Sequence, residues 1–152
     1  MTRERFHELF RGFQYDPDLF ADMTIYEKVK DKPYDEWETD AHFIRRTGDP
    51  SRLTLAVMLG DSVIGEVMLK NINKAERSCE MGIHLINDTV KGKGYGTEAE
   101  RAAIEFAKDE LNVTRVFADC ILKNKRSMHI LEKIGFRFLR EENGFRYYVY
   151  EV

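Results

Sequence analysis

The chain has 152 residues, 43% of them hydrophobic and 34% charged, and 24 basic against 27 acidic side chains give a formal net charge of -3. That length suits one domain with a substantial core, and the composition is that of a folded chain rather than a disordered one. The acidic balance disfavours a protein that coats nucleic acid, and no apolar run approaches the roughly 18 residues that would cross a membrane. The charged start Met1-Thr2-Arg3-Glu4-Arg5 has no apolar run behind it, so no secretory signal is expected. Cys79 and Cys120 form neither a C-x-x-C pair nor a disulfide framework, which suits a reduced, cytoplasmic setting.

The first 50 residues read as helix and loop. Asp16-Pro17 has the form of an N-cap with proline at the first helical position, and Pro33 is expected to open a helix running through Trp37, Ala41 and Ile44 to Gly48. The texture then changes. Residues 53–59, 63–69 and 76–86 read as three strands of an antiparallel meander, with Gly60-Asp61 turning between the first two. A glycine-rich loop, Gly92-Lys93-Gly94-Tyr95-Gly96, opens a helix whose inward stripe is expected to be Ala99, Ala102, Ala103, Phe106 and Ala107. A strand at 115–121, a helix from Asn124 to Ile134 ended by Gly135, and two strands around Asn143-Gly144 complete the chain. The order describes an α/β (α+β) fold with a mixed, mostly antiparallel sheet flanked by helices.

A glycine loop between strand and helix exposes successive N–H groups at the positive end of a helix dipole and so favours phosphate. Lys91 and Lys93 add positive charge, and three glycines at alternate positions exceed what a tight turn needs. Neither the dinucleotide-binding G-x-G-x-x-G pattern nor the Walker G-x-x-x-x-G-K-[ST] pattern fits the loop.

Residues 91–99, KGKGYGTEA, resemble the acyl-CoA loop of the Gcn5-related N-acetyltransferases (the GNAT superfamily), whose pattern is Gln/Arg-x-x-Gly-x-Gly/Ala. Here Lys91 stands at the first position. A second stretch, Asn124-Lys125-Arg126-Ser127 followed by Leu131-Glu132-Lys133-Ile134-Gly135-Phe136, resembles the family's Asn-x-x-Ser/Ala helix ending in Gly-Phe. The resemblance covers about residues 53–152 and looks most like the branch that acetylates ribosomal-protein N-termini and spermidine, although the usual opening strand of that branch is absent from the first 50 residues. It implies one domain over residues 1–152, with 1–50 walling the acceptor and 53–152 binding acyl-CoA. It implies acetyl-CoA as cosubstrate, no metal, and a primary amine as acceptor. The cofactor contacts it implies are Ile83, Leu85, Lys91, Gly92, Lys93, Gly94, Tyr95, Gly96, Thr97, Asn124 and Ser127.

Acetyl transfer to an amine needs a deprotonated nucleophile, a polarised thioester carbonyl and a stabilised thiolate. On the third strand Cys79, Met81, Ile83 and Leu85 share an apolar face, while Ser78, Glu80, Gly82 and His84 share the other. The resemblance makes Glu80 the expected base, since its offset from Lys91 matches that of the glutamate base in histone acetyltransferases; His84 is a second candidate. A tyrosine often protonates the thiolate from the place held here by Leu131, so the resemblance moves that role to Ser127. Asn124 reads equally well as a plain N-cap. Residues 16–40 hold nine acids against three lysines, which would suit a cationic amine or a solvated face. The aromatic run at 145–150 suits a homodimer contact or a core strand. A non-catalytic acyl-CoA sensor of the same fold is the alternative that Leu131 keeps open.

Overall fold

The computed structural model describes residues 1–152. Alternating apolar side chains build six strands: β1 (Leu53–Leu59), β2 (Ser62–Asn73), β3 (Ser78–Leu85), β4 (Arg115–Ile121), β5 (Arg137–Glu142) and β6 (Phe145–Glu151). They form one sheet in the order β1-β2-β3-β4-β6-β5. Every pairing is antiparallel except β3 with β4, which is parallel. Asn143 and Gly144 both take positive φ, 52° and 81°, and turn β5 into β6 as the dipeptide predicts. The mixed, mostly antiparallel sheet with helices on it is the expected fold class.

Five helices cover the sheet: α1 (Arg3–Gly12), α2 (Met23–Val29), α3 (Glu36–Thr47), α4 (Tyr95–Leu111) and α5 (Lys125–Ile134). α4 and α5 lie on one face, where Ala103, Ile104, Ala107, Met128, Leu131 and Ile134 meet Val67, Leu69, Met81 and Val116. α1 and α3 lie toward the other. Phe6 and Leu9, three residues apart on α1, are fully buried. The Met1 ammonium donates to the Thr54 carbonyl at 3.0 Å, and Glu8 accepts from the Val63 N–H at 3.1 Å, which ties α1 to the β1-β2 hairpin.

Asp16 is the expected N-cap with Pro17 at the first position, accepting from the Asp18 N–H at 2.9 Å, and the turn it opens is a 3-10 turn, Pro17–Leu19. Phe20 returns to extended backbone and Asp22 caps a separate helix, α2. Two expectations are corrected. Pro33 does not begin α3. Its N-cap is Asp35, whose carboxylate accepts from the Glu38 N–H at 2.8 Å, so the helix starts at Glu36. The buried stripe of α4 is Glu100, Ala103, Ile104 and Ala107, whereas Ala102 is exposed. The row Ala99, Ala102 and Phe106 instead lines an apolar groove of about 470 Å³ beside β1, the open edge of the sheet.

β2 runs buried without a break from Val63 to Leu69, as a strand covered on both faces must. Gly65 makes this possible where it meets β3, because a Cβ there would lie 2.5 Å from the His84 carbonyl oxygen. Gly65→Ala is therefore expected to lower stability by about 1–3 kcal/mol. Urea unfolding reads this as a lower midpoint at unchanged slope.

Candidate active site at the gap between β3 and β4

The parallel ladder joins Ser78–Met81 to Arg115–Ala118 and then stops. Past that point Gly82–Leu85 and Asp119–Ile121 have no ladder between them, which opens a gap in the middle of the sheet. The chain leaves β3 through the glycine loop and enters α4 at this gap. Gly94, at φ 88°, is the N-cap of α4 and supplies no side-chain cap. The backbone N–H groups of residues 92–97 make no hydrogen bond within the chain. They sit at the positive end of a 17-residue helix, an arrangement that accepts a phosphate.

The charges around the loop are not those expected from the sequence. Lys91 is engaged already, with its ammonium 2.5 Å from Asp16 and 2.8 Å from Asp88. Burial opposes its charge, but the two carboxylates outweigh burial and hold its pKa above the ordinary lysine value. Lys91 thus anchors the 3-10 turn, and with it Leu19, over the gap. Lys93 has no ion-pair partner, nor has Arg126 in the first turn of α5, which lines the cavity beside Lys91 and Gly96. Ile83 and Leu85 point toward Gly96, while Tyr95 turns away to the groove beside β1.

Two contiguous cavities, about 250 Å³ and about 100 Å³, fill the gap. Both are lined by Leu19, Ile83, His84, Glu100, Asn124 and Ser127. Asn124 is the N-cap of α5, accepting from the Ser127 N–H at 3.0 Å, and also faces the cavity. Ser127 lies beside Cys120. Burial pushes the Cys120 thiol above its ordinary value, with the Ser127 hydroxyl pulling the other way. Leu131 closes the larger cavity. Tyr148, in the aromatic run of β6, is fully buried and donates to Glu132 at 3.0 Å, outside both cavities.

Of the two base candidates, His84 lines both cavities and Glu80 lines neither. Glu80 lies in the paired part of β3, opposite Lys70 in β2, with their charged atoms 3.9 Å apart. His84 is backed by a residue that the sequence reading passed over. Glu66, its register partner on β2, has no solvent exposure. One Glu66 oxygen is 2.6 Å from Arg46 of α3, and the other is 3.5 Å from His84 Nδ1. Burial favours the protonated Glu66, but His84 and Arg46 outweigh it and hold the carboxyl below its ordinary value. The signal was present, since Glu66 is the one charged residue in the run VIGEVML.

A cleft of about 400 Å³ between α1 and α3 leads toward His84, whose ring lies 6.0 Å from that of Phe13 at the cleft wall. Phe10, Phe13, Tyr15 and Tyr34 line it together with His42. Burial and the neighbouring Arg46 and Arg45 push the His42 pKa down to about 4, so this imidazole is neutral near pH 7. The acids of residues 16–40 are mostly committed elsewhere. Asp16 holds Lys91, Asp22 and Asp35 cap helices, and Glu27, Glu38 and Asp40 pair with Lys30, Lys32 and Arg3. Asp18, Asp31 and Glu36 remain.

Arg46→Ala would leave the Glu66 carboxylate buried without its cation, an expected loss of about 3–5 kcal/mol. Glu66→Gln takes the counter-charge from Arg46 but leaves an amide oxygen in place to accept its hydrogen bond. Denaturant unfolding should therefore rank Arg46→Ala as the more damaging of the two.

A family model described as an acetyltransferase (GNAT) domain matches residues 2–137. Over 129 residues the chain is 25% identical to the uncharacterized N-acetyltransferase YnaD of Bacillus subtilis, covering 84% of this chain and 75% of that protein. Over 107 residues it is 27% identical to the spermidine N(1)-acetyltransferase of Escherichia coli K12, covering 70% of this chain but 57% of the relative. Among solved structures, a spermidine N-acetyltransferase from Vibrio cholerae has a TM-score of 0.72 at 20% identity, covering 99% of this chain and 92% of that one. The microcin C7 self-immunity acetyltransferase, in complex with acetyl-CoA and AMP, has a TM-score of 0.73 at 18% identity, covering 99% and 87%. At these identities the structural likenesses concern the fold.

Proposed function

The chain belongs to the GNAT acetyltransferase family, and on that premise we propose that it moves an acetyl group from acetyl-CoA to a primary amine by direct attack. The observation that carries this reading is the run of unbonded N–H groups at residues 92–97, opening onto the gap between β3 and β4. These donors suit the CoA pyrophosphate, with Lys93 and Arg126 as its cations. Gly82–Leu85 offers a free strand edge along which the amides of the pantetheine arm can pair. Asn124 and Ser127 then meet the thioester end, where the Ser127 hydroxyl can donate to the sulfur.

We assign the general base to His84 rather than Glu80. An imidazole accepts a proton at Nε2 when its other nitrogen is held, and Glu66 lies on the Nδ1 side. Arg46 keeps Glu66 ionised, so the order Arg46–Glu66–His84 sets a carboxylate beside Nδ1 of the base. The amine enters along the aromatic cleft between α1 and α3. A polyamine, a small-molecule amine or a protein N-terminus fits this chemistry, and the E. coli relative named for spermidine favours the first. Two buried free thiols agree with a reducing, cytoplasmic location.

Thermal shift and a thiol-release assay test the reading. Acetyl-CoA at about 100 times its Kd should stabilise the protein by about 2.7 kcal/mol, and ATP should not. With an amine that turns over, His84→Ala should lower kcat by about 100-fold or more. Ser127→Ala should lower kcat more than it weakens acetyl-CoA binding. Stabilisation by acetyl-CoA without turnover on any amine would instead support an acyl-CoA sensor, and no stabilisation by CoA species would refute the assignment.

A further inference from the structure

Glu100 is a carboxyl group without an explanation in the fold. It sits in the second turn of α4 on the buried stripe, 4% exposed, and faces both cavities at the gap. No side chain or backbone group bonds to its carboxyl, and its Oε2 is buried without a partner. An unpaired buried carboxyl costs stability that a leucine at this position would not, so a purely structural role does not account for it.

We propose that Glu100 gives its carboxyl proton to the CoA sulfur as the thioester C–S bond breaks, an inference that rests on the acetyl-transfer reading above. The geometry separates two roles. His84 reaches the gap from the α1 and α3 face of the sheet. Glu100 reaches it from the α4 face, together with Ile83 and Leu85, which alternate with His84 along β3. The amine and its base thus act on one side of the thioester carbon, and the leaving sulfur is met from the other.

The balance is complete with these two groups. The amine nitrogen bonds to the carbonyl carbon and its surplus proton passes to His84. The C–S bond breaks with its electron pair on sulfur, and the Glu100 proton completes the CoA thiol. After products leave, Glu100 takes a proton from water and His84 returns one. Leu131 offers no proton, and a serine hydroxyl is a far weaker acid than a thiol, whose ordinary pKa is about 8.5.

Burial alone raises the Glu100 carboxyl from its ordinary 4.5 to about 7, so a large fraction carries its proton at neutral pH. The titratable groups lining the cavities with it are Lys70 on β2, His84 on β3, Asp119 and Cys120 on β4, Arg126 on α5, and Asp16 and Lys91 from the flanking segments. The stabilisation linked to this proton is fully present below pH 4.5, where the unfolded chain also holds it, and is lost as pH rises to about 7.

The test compares wild type with Glu100→Gln and Glu100→Asp in three assays: acetyl-CoA thermal shift, steady-state kinetics on an accepted amine, and melting temperature of the free protein against pH. Glu100→Gln should lower kcat about tenfold or more with the KM for acetyl-CoA within about twofold, and should abolish the fall of kcat above neutral pH. Glu100→Asp should recover part of that kcat. The melting temperature of Glu100→Gln should lose the pH dependence that wild type shows between 4.5 and 7. An unchanged kcat and alkaline limb in a Glu100→Gln protein that still binds acetyl-CoA would overturn the proposal and leave the acetyl-transfer reading intact. A rise in KM alone would also overturn it, making Glu100 a pantetheine contact. Absence of acetyl-CoA stabilisation in wild type would remove the acetyl-transfer reading and this proposal together.

Discussion

The site depends on one constraint in the sheet: β3 and β4 are joined by parallel pairing only as far as Met81 and Ala118, and then part. A parallel pair requires a long crossover, here the glycine loop and α4, and that crossover places a helix N-terminus at the mouth of the gap. The parting also leaves strand edges unpaired in the middle of the protein, where an extended ligand can replace the missing ladder. The unbonded N–H groups of the glycine loop, the strand edge and the cavity follow from the same interruption.

The second organising feature is charge within the sheet. β2 is covered on both faces, yet carries Glu66 at full burial between Arg46 and His84. Held by α3 on one side and aligned by register on the other, this carboxylate couples the helical N-terminal region to the middle of β3. Lys91 plays a comparable part at the loop, where two carboxylates fix it and draw the 3-10 turn over the gap. The N-terminal region is therefore joined to β2, β3 and the glycine loop by ion pairs as well as by apolar packing, and its acids serve that junction more than they form an open acidic wall.

The parts of this arrangement differ in how legible they are in the sequence. The strands, the Asn143-Gly144 hairpin, the glycine loop and α5 rest on local patterns, and the sequence places them within a few residues. Pro17 starts a turn behind its Asp16 cap as the local pattern indicates, whereas the start expected at Pro33 moves to Glu36 because Asp35 supplies the cap. α1 was hidden behind a charged opening whose apolar residues Phe6 and Leu9 acquire meaning only against β2. Glu66 and Arg46 lie 20 residues apart on different elements, so only tertiary packing reveals their bond. Glu100 escaped for a different reason. The stripe through Ala99, Ala102 and Phe106 and the stripe through Glu100 and Ile104 share Ala103 and Ala107, and only packing against the sheet selects the second.

The central claim is that residues 92–97 and the free edge of β3 bind acyl-CoA. The most direct measurement is the change in backbone amide NMR shifts when CoA is added to the protein. The account predicts the largest changes at residues 92–97 and 82–85, with smaller ones at Asn124 and Ser127. Changes confined to the groove between β1 and α4, or no saturable change at the loop, would contradict it.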